Sequence, residues 1–416
     1  MRNLTIFIFL LLSVSVFSQE QLTLEECYQL VNTNYPLSKQ QALFEKQHVI
    51  DSKVINAEKL PQLDFSAQAT YQSDVTEVPI PNSSIEPLNK DQYRATASVN
   101  QLIYGGGIVD ASLDAKSVTL KTQQKQVEVN LYQLKNQVNQ LYFSVLLAQE
   151  NKALLTAKKE QLETKLKEVR SGIEYGTLLP TSDKVFAAEL LKIKQQFTEI
   201  DLNKISLLQT LSSLIGKDIA SNITLQNPEI VTGLQTGITR PELELFRLKK
   251  EQIEASKQLT SKQNAPKLMG FATGGYGNPG LNVLDNSFQA FYTVGVKLNW
   301  NVFDWSANKK KRESLSINKD IIDSEIELFK LNTHIELDQL KLEIQKIEEL
   351  VKSDGEIIQL RKEVLRSAES QLRNGVITAS AYIIELTNLF EDENMLNIHK
   401  IQLLLAKANY KITQGN

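Results

Sequence analysis

Tyr93-Arg94-Ala95-Thr96-Ala97-Ser98-Val99-Asn100-Gln101-Leu102-Ile103-Tyr104-Gly105-Gly106-Gly107 is the stretch that decides the fold of this chain. Tyr93, Ala95, Ala97, Val99 and Ile103 alternate with Arg94, Thr96, Ser98 and Asn100. Successive side chains of a strand point to opposite faces, so this is a strand with one apolar side, ended by three glycines. Upstream, Leu63, Phe65, Ala67, Ala69 and Tyr71 alternate with Asp64, Ser66, Gln68 and Thr70, directly after Pro61 stops a helical segment. Strands are expected over about 61–76 and 91–104.

The pattern returns. Pro36, Pro61 and Tyr71 recur as Pro241, Pro266 and Tyr276, 205 positions on, and Tyr93, Asn100 and Gly176 recur as Tyr292, Asn299 and Gly375, 199 positions on. The six-residue difference falls between Tyr71 and Tyr93, so the strand-connecting loop is longer in the first copy. In the second copy Tyr292, Val294, Val296, Leu298, Trp300 and Val302 alternate with Thr293, Gly295, Lys297, Asn299 and Asn301. This predicts a strand over about 288–303, with a glycine-rich partner over about 266–276. A duplication this regular means that neither half need bury its apolar surface alone.

The longest regular segments lie between the strands. Leu120, Val127, Leu134, Leu141, Ala148, Leu155, Leu162 and Val169 stand seven apart, with Leu131, Val138 and Val145 as companions, which is a coiled-coil seam. A long helix is expected over about 108–170, broken by Gly172 and Gly176, with a return helix over about 178–215 seamed by Leu179, Phe186, Ile193, Ile200, Leu207 and Leu214. The second copy repeats this as a long helix over about 306–372, seamed from Leu337 to Leu372, and a return helix over about 376–412. Shorter helices at 36–60 and 241–265 precede each hairpin. The domain reading is a signal segment at 1–18, a first repeat at 19–226, a connection at 227–240 and a second repeat at 241–416.

Composition narrows the class. Arg2 followed by an apolar run from Leu4 to Val16, then Ser18 and Gln19, has the form of a secretory signal peptide. No later stretch approaches the roughly 20 apolar residues of a spanning helix. Removing Arg2 with that segment takes the 46 basic residues to 45 against 49 acidic, a net charge of −4, which argues against a nucleic-acid partner. Cys27 is the single cysteine, so no intramolecular disulfide or cysteine metal cluster can form. His48, His334 and His399 stand isolated on helical segments and read as exposed helix histidines. Gly105–Gly107 lacks both phosphate-loop patterns. No enzyme motif and no cofactor site is expected.

Alternating segments with aromatic ends match transmembrane strands, which need about 9–11 residues and favour interfacial aromatics. Four strands from one chain cannot close, and an open edge in a bilayer leaves backbone groups unsatisfied. Closed membrane barrels begin at about eight strands, so geometry requires at least a dimer, and three copies would give twelve. The rival reading is a secreted coiled-coil structural protein or adhesin without channel activity, which explains the heptads but not two strand pairs in phase.

Several landmarks in order carry a family resemblance: Leu22-Thr23-Leu24-Glu25-Glu26, Asn34-Tyr35-Pro36, Leu60-Pro61-Gln62-Leu63, Leu102-Ile103-Tyr104-Gly105-Gly106-Gly107 and Tyr175-Gly176-Thr177-Leu178. With them the chain resembles the TolC-like outer-membrane efflux proteins. The resemblance implies an α+β membrane protein of two tandem strand-hairpin and long-helix repeats. Four transmembrane β-strands per chain would contribute to a trimeric 12-stranded β-barrel, continued by a periplasmic α-helical barrel. It implies a passive exit duct in the outer membrane of a Gram-negative bacterium, serving a tripartite efflux or type I secretion system. Its partners would be a periplasmic adaptor (membrane fusion protein) and an inner-membrane transporter of the RND or ABC type.

The resemblance also implies site residues. Adaptors would dock on the helix tips at Gly172, Tyr175, Gly176, Thr177 and Leu178 and at Asn374, Gly375, Val376 and Ile377. An acidic ring would narrow the entrance inside those tips. Here the chain departs from the family, offering Ala381 and Ile384 where an acidic pair is expected, so Asp183 or Glu385, each one position off, become the constriction candidates.

Overall fold

The computed structural model describes residues 21–77, 87–231 and 237–415. The expected signal segment, part of the longer strand-connecting loop and the middle of the 227–240 connection lie outside the described residues. In chain order the elements are β1 (Gln21–Leu22), α1 (Leu24–Asn34), a 3-10 turn at Pro36–Ser38, α2 (Lys39–Ala57), β2 (Gln62–Tyr71), β3 (Asp91–Tyr104) and α3 (Ile108–Glu174). They continue with α4 (Ser182–Ile215), β4 (Thr224–Leu225), α5 (Pro241–Lys262), β5 (Lys267–Asn278), β6 (Gln289–Asn299), α6 (Ala307–Arg373) and α7 (Ala379–Gln414). Two compact units are formed, each from both copies of the repeat. One takes the described residues up to Ser38, Asn130–Arg240 and those from Lys330 on; the other takes Lys39–Val129 and Pro241–Phe329.

The second of these units holds a four-stranded antiparallel sheet in the order β2-β3-β5-β6. Its hairpins share one register: Gln62 faces Asn100 in the first copy, and Lys267 faces Asn299 in the second. These pairs are related by the same offsets of 205 and 199 that relate the sequence landmarks. The β3–β5 pairing joins the two copies, leaving β2 and β6 as the edges. Pro61 and Pro266 set where β2 and β5 begin, because proline cannot donate to the ladder. Opposite Pro266, β6 therefore ends at Asn299 rather than continuing to 303 as expected, and β2 ends at Tyr71 because β3 begins opposite it at Asp91.

Helices of this unit pack through polar pairs. Lys59 meets Asp110 at 3.0 Å and Lys116 meets Asp51 at 3.1 Å, tying α2 to α3, while Lys250 pairs with Asp323 between α5 and α6. No residue of α2 is buried, and Leu43, Ile50 and Val54 lie exposed along it.

The other unit carries two apolar cores. One gathers Cys27 and Val31 of α1 with Val138, Tyr142 and Leu146 of α3, Leu208 and Leu211 of α4 and Ile401 of α7. α1 is fixed by a capping box in which Thr23 and Glu26 satisfy each other's backbone amides. β1 and β4 pair in parallel, a contact the sequence pattern does not announce, and Tyr142 Oη lies 2.9 Å from the Leu22 carbonyl and 2.6 Å from that of Gln226. The other core uses the expected heptad residues Leu155, Leu162, Val169, Phe186, Ile193, Ile358, Leu365 and Leu372.

Three expectations need correction. Gly172 does not break the long helix, which runs on to Glu174. The return helix starts at Ser182, so Leu179 is exposed rather than seamed; Pro180 biases the residue before it away from helical backbone. His399 is not an exposed helix histidine: its Nδ1 lies 2.6 Å from Asp354 Oδ2, with both side chains largely covered.

Candidate functional site

Each long helix ends in the same turn. At the first tip, Gly176 adopts φ +73°, its amide donates to Ile173 O at 3.1 Å, and the Thr177 amide donates to Gly172 O at 2.8 Å. At the second, Gly375 adopts φ +69°, its amide donates to Leu372 O at 3.0 Å, and the Val376 amide donates to Gln371 O at 2.8 Å. This paired bonding around a left-handed residue is the Schellman motif, which satisfies carbonyls that a helix end would otherwise leave open. Glycine, which has no Cβ, takes that backbone at no steric cost.

The turns present their side chains outward. Tyr175 and Val376 are 79% and 71% exposed. Gly172 has a different reason to be glycine: a Cβ there would sit 2.8 Å from Leu178 Cδ1. The two tips approach each other, since a Cβ on Gly375 would come 3.3 Å from Thr177 O. α7 then starts from Thr378, whose hydroxyl accepts from the Ala381 amide at 3.2 Å, while α4 starts from Thr181 without such a bond. Asn374 donates its side-chain amide to Ser370 O at 2.9 Å, and Ile377 packs against the apolar core below the tips.

Beneath the turns is a cavity of about 100 Å³ lined by Lys165, Glu168, Gly172, Leu178, Glu369 and Arg373. Lys165 bonds both Glu168, at 2.6 Å, and Glu369 of the second copy. Burial opposes the Lys165 charge, but hydrogen bonds to Glu168 and Glu369 outweigh it and hold its pKa above the ordinary lysine value. Sequence reasoning missed this link, because neither residue belongs to a motif.

The constriction candidates sit a few residues into the return helices. Asp183 lies in the first turn of α4, favourable for a carboxylate, with Oδ2 3.3 Å from Lys184 Nζ. Glu385 faces Arg361 at 3.8 Å and Asn388 at 3.4 Å, and Arg361 also donates from Nε to Asp392 at 2.9 Å. Deeper in the bundle, Lys158 pairs with Glu189 at 3.0 Å and lies over the Phe390 ring.

In the other unit, the sheet has two chemically distinct faces. Paired positions share a face, so Leu63, Phe65, Val99, Ala97, Ala272, Val294 and Val296 lie on one side. Gln68, Arg94, Thr96, Ser98, Thr273, Thr293 and Lys297 lie on the other. On that polar side Ser98 and Thr273 hydrogen-bond at 2.9 Å, and Asn100 donates to Asp64 at 3.2 Å. The glycines of β5 and β6 make room there for rings: a Cβ on Gly275 would meet Phe291 at 2.4 Å, and one on Gly295 would meet Phe271 at 2.9 Å. Among the described residues no helix is long and apolar enough to cross a membrane.

Residues 51–217 match the family model described as outer membrane efflux protein. Among solved structures, the outer membrane protein VceC of Vibrio cholerae superposes with a TM-score of 0.65 at 14% identity, over 94% of this chain and 96% of that one. The CmeC outer membrane channel of Campylobacter jejuni gives 0.64 at 17% identity, over 94% and 85%. The open-state MtrE outer membrane channel of Neisseria gonorrhoeae gives 0.66 at 15%, over 94% and 89%. No curated protein matches.

Proposed function

We propose that this chain, which has the fold of those outer-membrane channels and matches the efflux protein family over residues 51–217, is the exit duct of a tripartite export system. One observation carries the reading: a four-stranded sheet with an apolar face, a polar face and two unpaired edges, β2 and β6. In a bilayer those edges must be paired, and barrels are the strand structures that leave none open. Three copies close a twelve-stranded barrel, with Leu63, Phe65, Val294 and Val296 toward lipid and the Ser, Thr and Gln face toward a water-filled lumen. Ile317, Ile321, Leu328, Leu331, Ile335 and Leu342 lie exposed along α6, an apolar stripe suited to a neighbouring copy.

The duct sits in the outer membrane of a Gram-negative cell, with its helices in the periplasm. Transport through it is passive. An inner-membrane pump of the RND or ABC type supplies the energy, and a periplasmic adaptor joins pump to duct by docking on the tips at Gly172–Leu178 and Asn374–Ile377. The exposed Tyr175 and Val376 are the side chains best placed to be gripped. Asp183 and Glu385 narrow the entrance.

The test is extraction and conductance. The full chain should leave the outer-membrane fraction only with detergent, run as a trimer and conduct ions in a planar bilayer. Recovery as a soluble monomer without conductance would return the chain to the coiled-coil structural class.

A further inference from the structure

The two repeats differ at the junction where the last strand hands over to the long helix. The first repeat turns through Gly106 and Gly107 at φ +65° and +80°. The second, 199 positions on, places Trp305 and Ser306 in the same left-handed backbone at φ +53° and +61°. Glycine takes that conformation freely, whereas a bulky side chain there is an outlier that the surroundings must enforce. The ring so placed is not buried. Trp305 is 81% exposed, stacked edge-on against Phe303 at 4.9 Å, and Trp300 and Val302 beside it are also exposed.

Immediately after come Lys309, Lys310, Lys311 and Arg312 in the opening turns of α6, all exposed, where the first repeat has Asp110, Ala111, Ser112 and Leu113. Cations at a helix N-terminus oppose its dipole, so the helix itself gives no reason for them. The nearby acids leave most of this charge unanswered. Asp304 is engaged in capping α6, accepting from the Asn308 amide at 2.8 Å and from Asn264 at 2.6 Å. Glu313 reaches only Lys309, at 3.9 Å, and no ion pair among the described residues holds Lys310 or Lys311.

We propose that Trp300–Arg312 is a lipid anchor specific to the second repeat: Trp300, Phe303 and Trp305 lie at the headgroup boundary, and Lys309–Arg312 bind anionic phospholipid headgroups of the periplasmic leaflet. Aromatic residues favour that boundary, and basic clusters flanking a membrane segment attract anionic headgroups. The placement rests on the outer-membrane reading above, because only then does the strand-to-helix junction meet the periplasmic leaflet. Each chain contributes one such site, so a closed trimer carries three, alternating with the neutral, glycine-lined junctions of the first repeat.

Trp300 and Trp305 are the only two tryptophans of the chain, so selectively excited tryptophan fluorescence reports on this segment alone. The full chain is placed in nanodiscs containing brominated phosphatidylglycerol or brominated phosphatidylcholine over the same series of increasing mole fractions. Half-quenching is expected at about fivefold less phosphatidylglycerol than phosphatidylcholine, the equivalent of roughly one cation at an anionic surface. The gap should close in K309Q/K310Q/K311Q/R312Q and in the milder K310Q/K311Q, with the trimer retained. Trp305→Gly should raise thermal stability by relieving the strained backbone while weakening the lipid preference. Equal quenching of the unaltered protein by both lipids overturns the anchor and leaves the membrane reading intact. No quenching by either overturns the membrane placement itself.

Discussion

Lys165 of the first long helix and Glu369 of the second are joined by an ion pair across 204 positions of sequence, directly under the two helix tips. Lys165 is the more enclosed partner, its side chain 10% exposed against 41% for Glu369. The pair fastens one copy of the repeat to the other where an adaptor would press on them.

Replacing Lys165 with Met should therefore loosen the tips. We expect a loss of about 1–2 kcal/mol, the range for a hydrogen bond to a charged group at a half-covered site. Hydrogen exchange should speed up at residues 172–178 and 374–377 more than in the core around Tyr142. The pH dependence has a definite sign. Because the folded pKa of Lys165 is raised, its contribution is complete below the ordinary lysine value and fades only as pH rises through the raised one. Tip protection that is unchanged in Lys165→Met would remove the latch.

Three glycines near the tips should respond differently to alanine. At Gly176, which has nothing within 4 Å of a new Cβ, the cost is that of the left-handed backbone alone, about 1 kcal/mol. Gly375 adds the Thr177 carbonyl at 3.3 Å and should cost more. In an ordinary helix interior Gly→Ala is stabilising by ~1 kcal/mol, yet Gly172→Ala should destabilise through contact with Leu178, and Leu178→Ala should recover part of the loss. Thermal unfolding of the four variants checks the order.

Cys27 is fully buried, and burial pushes its thiol up to about 12 from 9.0. That lowers the reactive thiolate fraction at pH 8 by roughly a thousandfold. Iodoacetamide should leave the native protein unlabelled for hours and modify it at once in denaturant. Rapid native labelling would show that α1 detaches from its core.

Cysteines placed on β2 and β6 test closure between chains. Within one sheet these edges are three strand spacings apart, about 14 Å, too far for a disulfide, which needs Cα atoms within ~7 Å. Pairing positions 66 or 68 with positions 291, 293 or 295 should yield covalent dimers and trimers at the register that faces across the joint. Monomers at every combination would contradict the closed barrel.

Neutralising Asp183→Asn and Glu385→Gln together should lower the cation preference of the conductance. Arg361 lies against Glu385, so Glu385→Gln also frees a positive charge, and the double variant should move further toward anions than Asp183→Asn alone. Unchanged ion selectivity in the double variant would exclude both residues from the entrance.

Much of this molecule was legible because its signals are local and periodic. The seam from Leu155 to Val169 and the alternation from Tyr93 to Val99 each declare a geometry within one element, and Gly176 marks its turn by chemistry alone. What escaped depends on partners distant in sequence. Gly172 reads as a breaker, but its reason is the space taken by Leu178. The end of β6 is set by Pro266 on another strand, and two-residue strands such as β1 and β4 are too short to show a period. Asp183 and Glu385 were named as candidates from their position in the return helices, whereas Arg361 beside Glu385 could not be, since it lies on a different helix. The spatial units cut across both copies because each draws its segments from both halves of the sequence.

The β3–β5 seam has a consequence for biogenesis. Ser98 and Thr273 meet across 175 positions, so the inner edge of the first hairpin stays open until β5 has been made. At the usual pace of synthesis that is roughly ten seconds or more, during which the first hairpin lacks its partner strand. Long-range strand pairing is intrinsically slow, because a large loop must close before its contacts repay the lost entropy. The sheet therefore cannot be completed piecemeal as the chain emerges. An open amphipathic strand edge is prone to wrong pairing, so the first hairpin is the segment most exposed to misassembly until the whole sequence is present.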